Sequence, residues 1–152
     1  MMLIPQNLEP SPAASAVERF MLSTFTKLNL KHQTQIVVLN APGSFEPELA
    51  TLSDIKIMRE RNSFEEFEFF IAFVTKQGEI ADLSKIVAAK AKGDAVVWFA
   101  YPKGTSKKYK SEISRDHGWE ALRGFGFDTV RAIAIDEDWS ALRFRRIAYI
   151  KR

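Results

Sequence analysis

The sequence predicts an α/β fold of three layers, in which helices cover both faces of a Rossmann-like, mainly parallel sheet. About five or six strands are expected, with an antiparallel last strand. Short apolar runs, rich in β-branched and aromatic side chains, alternate along the chain with segments of helical periodicity. The last two apolar runs are joined by the short segment 136–141, which is too short for a helical crossover, so these two strands are expected to be antiparallel.

The beginning of the chain predicts an arm followed by one domain. Residues 1–12 contain three prolines and no periodic pattern, so we expect a loose N-terminal arm there. Residues 13–152 are expected to form a single α/β domain. Apolar residues at helical spacing from Ala13 to Leu28 predict its first helix, and Asn29 is suited to the left-handed conformation that ends a helix.

The strands are predicted from apolar runs bounded by polar or turn-forming residues. In chain order they are Ile36–Leu39, Ile55–Met58, Phe67–Val74, Ala95–Tyr101, Val130–Ile135 and Leu142–Ile150. The runs at Phe67–Val74 and Ala95–Tyr101 are almost entirely apolar, which is typical of strands covered on both faces. They are therefore expected at the centre of the sheet.

Helices are predicted between these strands. Glu46–Leu52 has room for one or two helical turns. A second helix is predicted from apolar residues at helical spacing between Ile80 and Ala91, with Gly93 as its cap. A third is predicted to start at Ser114 and to end at Gly126. Its apolar face would consist of Trp119, Leu122 and Phe125, and Gly118 would lie inside it.

Composition excludes several classes of function. Cysteine is absent, which rules out disulfides, thiolate metal sites and cysteine nucleophiles, and fits a cytoplasmic protein. No apolar run approaches the roughly 20 residues of a membrane span. Lys and Arg number 7 against 9 Asp and Glu in residues 1–76, and 15 against 10 in residues 77–152. This mild basic bias favours anionic ligands, but it is far below what a dedicated nucleic-acid-binding domain carries.

Three motifs resemble those of a bacterial family of α/β domains of unknown function. The first strand ends in Asn40-Ala41-Pro42, a later strand ends in Tyr101-Pro102-Lys103, and residues 136–144 read Asp-Glu-Asp-Trp-Ser-Ala-Leu-Arg-Phe. The resemblance spans roughly residues 27–146, with Tyr101 and Ala141 departing from the family's Trp and Gly. It implies no catalytic residues. The order of elements also resembles a shortened methyltransferase of the Rossmann type, a likeness of architecture that does not by itself imply function.

Polar clusters at the ends of two apolar runs form the candidate ligand site. Open α/β sheets bind ligands outside the carboxyl ends of their strands. Cationic and hydroxyl side chains of residues 102–110 would bind a phosphate or carboxylate through charge-assisted hydrogen bonds. The alternative for this segment, a solvated lysine-rich loop, is the more common situation. The candidate ligand-binding residues are Asn40, Lys103, Thr105, Ser106, Lys107, Lys108, Asp136, Glu137, Trp139, Ser140 and Arg143.

The acidic corner at residues 136–138 has two interpretations. Its three carboxylates could bind a hard cation or pair with lysines across the sheet edge. A charged turn in which Asp136 or Asp138 bonds its own backbone is favoured, and no metal site is assigned. Trp139 could stack on a ligand ring or cover the end of the core. Arg143 and Arg145 share a strand face and could bind an anion or face water.

Two functions follow as hypotheses, with the substrate, cofactor and oligomeric state left open. The first is a cytoplasmic α/β domain that binds an anionic small molecule or a protein partner at the carboxyl edge of the sheet. The alternative is a reduced S-adenosylmethionine-dependent methyltransferase. For that enzyme the loop after the first strand has a single glycine, Gly43, and Pro42 removes one backbone donor. Glu60 could supply the carboxylate expected after the second strand.

Overall fold

In the computed structural model, residues 24–151 are described. The strands are β1 (Gln35–Leu39), β2 (Lys56–Met58), β3 (Phe67–Phe73), β4 (Ala91–Pro102), β5 (Phe127–Ala134) and β6 (Trp139–Arg146). The helices are α1 (residues 24–27), α2 (Glu46–Ala50), α3 (Gln77–Lys90) and α4 (Glu120–Gly124). Single 3-10 turns occupy Gly43–Phe45 and Ile147–Tyr149.

The six strands form one sheet in the order β2-β1-β3-β4-β6-β5. β1 pairs in parallel with β2 and β3, and β3 pairs in parallel with β4. β6 lies antiparallel between β4 and β5. This mixed sheet confirms the predicted fold class, including the antiparallel end. The strand order reverses at β1, because β2 lies on one side of it and β3 on the other.

Helices cover both faces of the sheet. On one face, which we call the α3 face, Ile80, Leu83 and Val87 of α3 are buried in one cluster with Phe70 and Phe99.

On the opposite face, which we call the α1 face, a second cluster contains Leu28, Leu49 of α2, Phe69, Ile71 and Trp98. Successive residues of β3 and β4 therefore alternate between two apolar layers, which explains why both strands are continuous apolar runs.

The N-terminal predictions are confirmed where the structure describes them. α1 ends at residue 27, and Asn29 has a φ of 64°, the left-handed conformation expected of a residue that ends a helix. The indole Nε1 of Trp98 donates a 2.7 Å hydrogen bond to the Leu28 carbonyl and so fixes the end of α1 on the sheet. The predicted arm and the predicted helical residues 13–23 lie outside the described residues.

The predicted cap at Gly93 is wrong. α3 ends at Lys90, and Ala91 is already extended, with φ −67° and ψ 122°. Gly93 instead lies inside β4, where its φ is 57°. The register between β3 and β4 jumps from Phe67↔Ala91 to Phe69↔Val96 at this point. A bulge that absorbs extra residues is where a strand accommodates a left-handed glycine.

The helix predicted from Ser114 is much shorter than expected. α4 has five residues, Glu120–Gly124, and Trp119 precedes it. Ser114 lies in a tight turn with His117. The Ser114 N–H donates to the His117 carbonyl at 3.2 Å, and the His117 N–H donates to the Ser114 carbonyl at 3.4 Å. Gly118, expected inside the helix, has a φ of 106° and breaks it. Trp119 and Leu122 are buried as predicted, but Phe125 is 45% exposed.

The last strand also has different bounds from those predicted. β6 begins at Trp139, earlier than Leu142, because Trp139 and Ser140 pair with Pro102 and Tyr101 of β4. It ends at Arg146, and a 3-10 turn follows. The ends of β6 are set by its pairing with the neighbouring strands. The apolar pattern of its own sequence does not record that pairing and therefore placed both ends incorrectly.

Candidate functional site

The loop after β4 and the turn before β6 lie side by side at the carboxyl edge of the sheet. Pro102 is paired with Trp139, and the Lys103 N–H donates a 2.7 Å hydrogen bond to the Asp138 carbonyl. The Ser106 hydroxyl donates to Oδ1 of Asp138 at 2.8 Å. Because β6 is antiparallel to β4, its first residues lie where β4 ends. The predicted juxtaposition of the lysine-bearing loop with the acidic corner is therefore present.

The acidic corner is organised by its own backbone. Oδ1 of Asp136 accepts hydrogen bonds from the N–H groups of Asp138, at 2.8 Å, and Trp139, at 2.9 Å. Glu137 is exposed. Within residues 24–151, no group of three or more carboxylate or histidine side chains is arranged to hold a metal ion. The interpretation as a charged turn is the one the geometry supports.

Ser106 organises the lysine-bearing loop in the same way. Its Oγ accepts hydrogen bonds from the N–H groups of Lys108 and Tyr109, each at 3.2 Å, while donating to Asp138. Lys107 and Lys108 are exposed. The Ser106 hydroxyl is thus committed to holding the loop, whereas the two lysine side chains extend into solvent.

A groove of about 400 Å³ opens on the α3 face beside this loop. Its walls combine an aromatic ring, two cations and several hydroxyls. The lining residues are Tyr101, Pro102, Lys103, Gly104, Thr105, Ile113, Ser114, Arg115 and Ser140. Lys103, Thr105 and Ser140 were predicted from the sequence. Tyr101 and Arg115 were missed, because Tyr101 looked like an ordinary strand residue and no motif distinguishes Arg115.

Tyr101 is the buried polar group of this groove. It is 7% exposed, and its burial raises the pKa of its phenol above the ordinary value. The positive charge of Arg115 and a hydrogen bond with the Ser140 side chain act in the opposite direction, while Asp116 adds to the increase. The phenol therefore stays protonated at neutral pH beside the Arg115 cation, with the Ser140 side chain as its hydrogen-bond partner.

A second cavity, of about 290 Å³, adjoins the groove through Arg115, which lines both. Arg123, Thr129 and Leu142 also line it. Leu142 and Ser140 point to the same face of β6, because they are two residues apart. The α3 face thus carries two adjacent cavities that share a cation.

Trp139 lies on the opposite face and does not reach the groove. It is 3% exposed and packs against the rings of Phe73 and Tyr109, with centroids 5.2 and 4.9 Å away. The residue covers the end of the core, as the second of its two interpretations stated. Its indole Nε1 is buried without a hydrogen-bond partner.

The reversal of strand order at β1 defines a separate crevice at the same edge. Asn40 turns the chain away from β1 with a φ of 60°. Phe45, 1% exposed, then fills the space above the sheet and contacts the rings of Phe25 and Phe73, with centroids 5.8 and 4.9 Å away. Side chains of the protein itself therefore occupy the part of this crevice that lies on the α1 face.

Two charged groups lie around that crevice. Arg59, directly after β2, forms two hydrogen bonds of 2.7 and 2.9 Å with the Glu46 carboxylate at the start of α2. The pKa of Glu48, two residues further along α2, is raised mainly by burial. A hydrogen bond with Thr24 opposes the increase, and the nearby charge of Asp136 adds to it. One carboxylate oxygen of Glu48 is buried without a hydrogen-bond partner.

Arg143, the last of the predicted site residues, is half-buried on the α1 face. It lies three residues along β6 from Ser140, and an odd separation on a strand places two side chains on opposite faces. It therefore does not join the groove. Glu60 is exposed. No helix within residues 24–151 has the length and apolar character needed to cross a membrane.

Solved structures of methyltransferases share this fold. A SAM-dependent methyltransferase from Aquifex aeolicus is similar over 93% of this chain and 96% of its own, with 14% identity and a TM-score of 0.61. Fibrillarin from Aeropyrum pernix, in complex with natively bound S-adenosyl-L-methionine, is similar over 84% of this chain and 76% of its own, with 12% identity and a TM-score of 0.53. These likenesses show that the chain has a Rossmann-like fold, which these methyltransferases share.

The same comparison also shows that the fold is not confined to one activity. The [4+2]-cyclase SpnF is similar over 87% of this chain and 81% of its own, with 9% identity and a TM-score of 0.54. No family model and no curated protein matches the sequence. The fold is thereby shown, and the activity has to be argued from the residues of the site.

Proposed function

We propose that this chain binds S-adenosylmethionine outside the carboxyl ends of β1 and β3 and acts as a reduced methyltransferase. The observation that carries the proposal is the reversal of strand order at β1, which has β2 on one side and β3 on the other. Open α/β sheets bind ligands in the crevice that such a reversal creates. The likeness to the Aquifex and Aeropyrum structures supports S-adenosylmethionine as the ligand.

The residues at the crevice fit this cofactor in two respects. Gly43 is exposed and a Cβ built there meets no atom within 4 Å, so its backbone is accessible to a ligand. Glu60 is exposed just after β2, where a carboxylate can accept hydrogen bonds from a ribose. When bound, the cofactor supplies an electrophilic methyl group. The chain's contribution would be to bind the adenosine and to orient that group toward the substrate.

Two features weaken the fit and set the expected affinity. The loop after β1 has one glycine, and its Pro42 has no N–H. This loop therefore offers fewer backbone donors than a glycine-rich loop. The Arg59–Glu46 ion pair borders the crevice, but its side chains are 45% and 46% exposed and can separate at small cost. We therefore expect weaker binding than a complete glycine-rich loop provides.

Calorimetric titration of the full chain with S-adenosylmethionine and S-adenosylhomocysteine tests the proposal. Saturable binding is expected, and Gly43→Trp should abolish it by filling the open space at the crevice. Gly124→Trp is the matched control, because a side chain at Gly124 also meets nothing within 4 Å but lies on α4, away from the crevice. Absence of binding by the unmodified chain at millimolar cofactor would refute the proposal, as would equal binding by the Gly43→Trp variant.

A second function, binding of an anionic small molecule in the groove of the α3 face, is favoured by a specific observation. Lys103 and Arg115 line one cavity together with the hydroxyls of Thr105, Ser114 and Ser140. Two cations and several donors are what a phosphate or carboxylate requires, and the Tyr101 ring offers a surface for an attached apolar group. The cysteine-free composition supports a cytoplasmic setting for either function.

Adenosine monophosphate serves as the probe for this groove. Lys103→Ala should weaken its binding by about tenfold, the usual loss when one charged hydrogen bond is removed. Lys107→Ala, in the same loop but outside the groove lining, should leave the affinity unchanged. An equal effect of the two substitutions would mean that the loop attracts anions only through its general charge.

A further inference from the structure

Two arginines face each other on the α1 face of the last two strands. Arg131 of β5 is the direct pairing partner of Arg143 of β6, so both side chains project to the same side of the sheet. Like charges directly opposite each other in a ladder destabilise the sheet. On its other side Arg143 is paired with the fully buried Trp98 of β4. The pair thus lies at the margin of the α1-face core.

Within residues 24–151, neither guanidinium forms a salt bridge with an acid. The Nε of Arg143 is buried without a hydrogen-bond partner. The carboxylate that acts on Arg143 is Asp94, but Asp94 is already held by Arg145, whose Nε bonds its two oxygens at 2.9 and 3.1 Å. A buried donor without an acceptor destabilises the fold, so this arrangement favours an acceptor from outside.

We propose that Arg131 and Arg143 together bind the phosphate group of a small molecule on the α1 face. Guanidinium groups match the oxygen spacing of phosphate and donate in pairs. Two guanidiniums on neighbouring paired strands can contact different oxygens of one tetrahedral phosphate group. Such a ligand would supply the acceptor that the buried Nε lacks and would neutralise the repulsion across the ladder.

The electrostatics of Arg143 support this site. Burial lowers its pKa first, and the neighbouring charges of Arg145 and Arg131 lower it further, against the opposing effect of Asp94. The side chain nevertheless remains a cation at neutral pH, since arginine does not lose its proton in proteins. A half-buried, uncompensated charge is costly, and an anion that pairs with it removes part of that cost.

The site is independent of the two functions proposed above. The groove lies on the α3 face, whereas the pairing of Arg131 with Arg143 places both side chains on the α1 face. Arg131 also borders the second cavity, which neither of the two proposed functions uses. The crevice at β1 is separated from β6 by β3 and β4. Failure of S-adenosylmethionine binding, or an adenosine monophosphate affinity that Lys103→Ala leaves unchanged, would therefore leave this proposal standing, and the reverse also holds.

Thermal unfolding of the full chain in inorganic phosphate tests the site. At about 20 mM phosphate the midpoint should rise relative to chloride at equal ionic strength, because a ligand that binds only the folded state stabilises it. The rise should disappear in Arg143→Gln and in Arg131→Gln. Arg123→Gln removes the same charge from α4 on the opposite face and should retain the full rise.

A charge reversal gives an independent measurement. Arg131→Glu places a carboxylate opposite Arg143, so the variant should be more stable than the unmodified chain without phosphate and should not respond to phosphate. The exposed position of residue 131 makes this variant tolerant of substitution. The proposal is overturned if phosphate does not raise the midpoint of the unmodified chain, or if the Gln variants respond as strongly as it does.

Discussion

The Ser106 hydroxyl donates a 2.8 Å hydrogen bond to Oδ1 of Asp138 and so joins the loop after β4 to the turn before β6. The same oxygen accepts from the N–H groups of Lys108 and Tyr109. Ser106 thereby fixes the course of the loop from which Lys103 and Thr105 line the groove. A residue predicted to contact a ligand is in this structure a residue that positions the loop.

Ser106→Ala should reduce the free energy of unfolding by about 1–2 kcal/mol, because two partly buried hydrogen bonds and one exposed hydrogen bond lose the Ser106 hydroxyl. Thr105→Ala, at the neighbouring exposed position, should change it by less than about 0.5 kcal/mol. Urea unfolding followed by circular dichroism measures both. Equal effects would show that the Ser106 bonds do not hold the loop in solution.

Asp136 should matter for stability and Glu137 should not. Asp136→Ala removes the acceptor of two backbone N–H groups and should cost about 1–2 kcal/mol, as the loss of a comparable helix cap does. Glu137→Ala removes an exposed carboxylate of the same corner and serves as the control. If divalent cations stabilised the chain and both substitutions abolished that effect, the corner would be a metal site and our interpretation of a charged turn would fail.

Gly118 and Gly124 should respond to alanine in opposite directions. Gly118 has a φ of 106°, and an added Cβ would lie 3.4 Å from Ile113, so Gly118→Ala should destabilise the protein by about 1–3 kcal/mol. Gly124 is helical, and a Cβ there meets nothing within 4 Å, so Gly124→Ala should stabilise by about 0.5–1 kcal/mol. Thermal unfolding of the two variants checks the signs. A neutral Gly118→Ala variant would contradict the left-handed conformation.

The raised pKa of Glu48 predicts a pH dependence of stability. A carboxyl group whose pKa is higher in the folded state stabilises the fold most when protonated, below the ordinary value of 4.5. That contribution is lost as the pH rises through the raised pKa. Glu48→Gln, which is uncharged throughout, should therefore raise the melting temperature at pH 7, and the difference should vanish at acidic pH.

Glu46→Gln is the control with the opposite sign. The hydrogen bond from Arg59 lowers the pKa of Glu46, so its contribution is present above the ordinary value and is lost as the pH falls. Its substitution should not raise the melting temperature at pH 7. Melting curves of both variants between acidic and neutral pH decide the matter. A Glu48→Gln variant less stable than the unmodified chain at pH 7 would mean that the hydrogen bond with Thr24 outweighs the cost of burying the ionised carboxylate.

Local pattern was sufficient for most of the fold and insufficient for several element ends. The apolar runs placed all six strands, and Asn29 ended α1 as expected. The failures at Gly93 and Ser114 share a cause. The prediction placed Gly93 at a helix end and Gly118 inside the helix that starts at Ser114. In the structure, the pairing of β4 with β3 decides the backbone conformation at Gly93, and the burial of Trp119 decides it at Gly118. Such contacts come from residues distant in the sequence, which periodicity does not register.

For the candidate site, too, local sequence pattern predicted one part and tertiary contacts decided the rest. The sequence located polar residues after β4 and before β6, and their proximity followed from the antiparallel ending. It could not separate Ser140, which lines the groove, from Arg143, which lies on the other face beside Trp98. Arg115 joined the groove without any motif, because its position depends on the turn at Ser114 and His117.

By itself, then, the sequence determined the layered α/β architecture, because the spacing of apolar residues fixes which segments can be buried as strands or helices. The tertiary structure alone decided the chemistry of the surface. Inserting β6 between β4 and β5 pairs Arg131 with Arg143, because the register of the sheet brings together residues of different strands. The turn between Ser114 and His117 places Arg115 in the groove with Lys103, and no local sequence pattern records that contact.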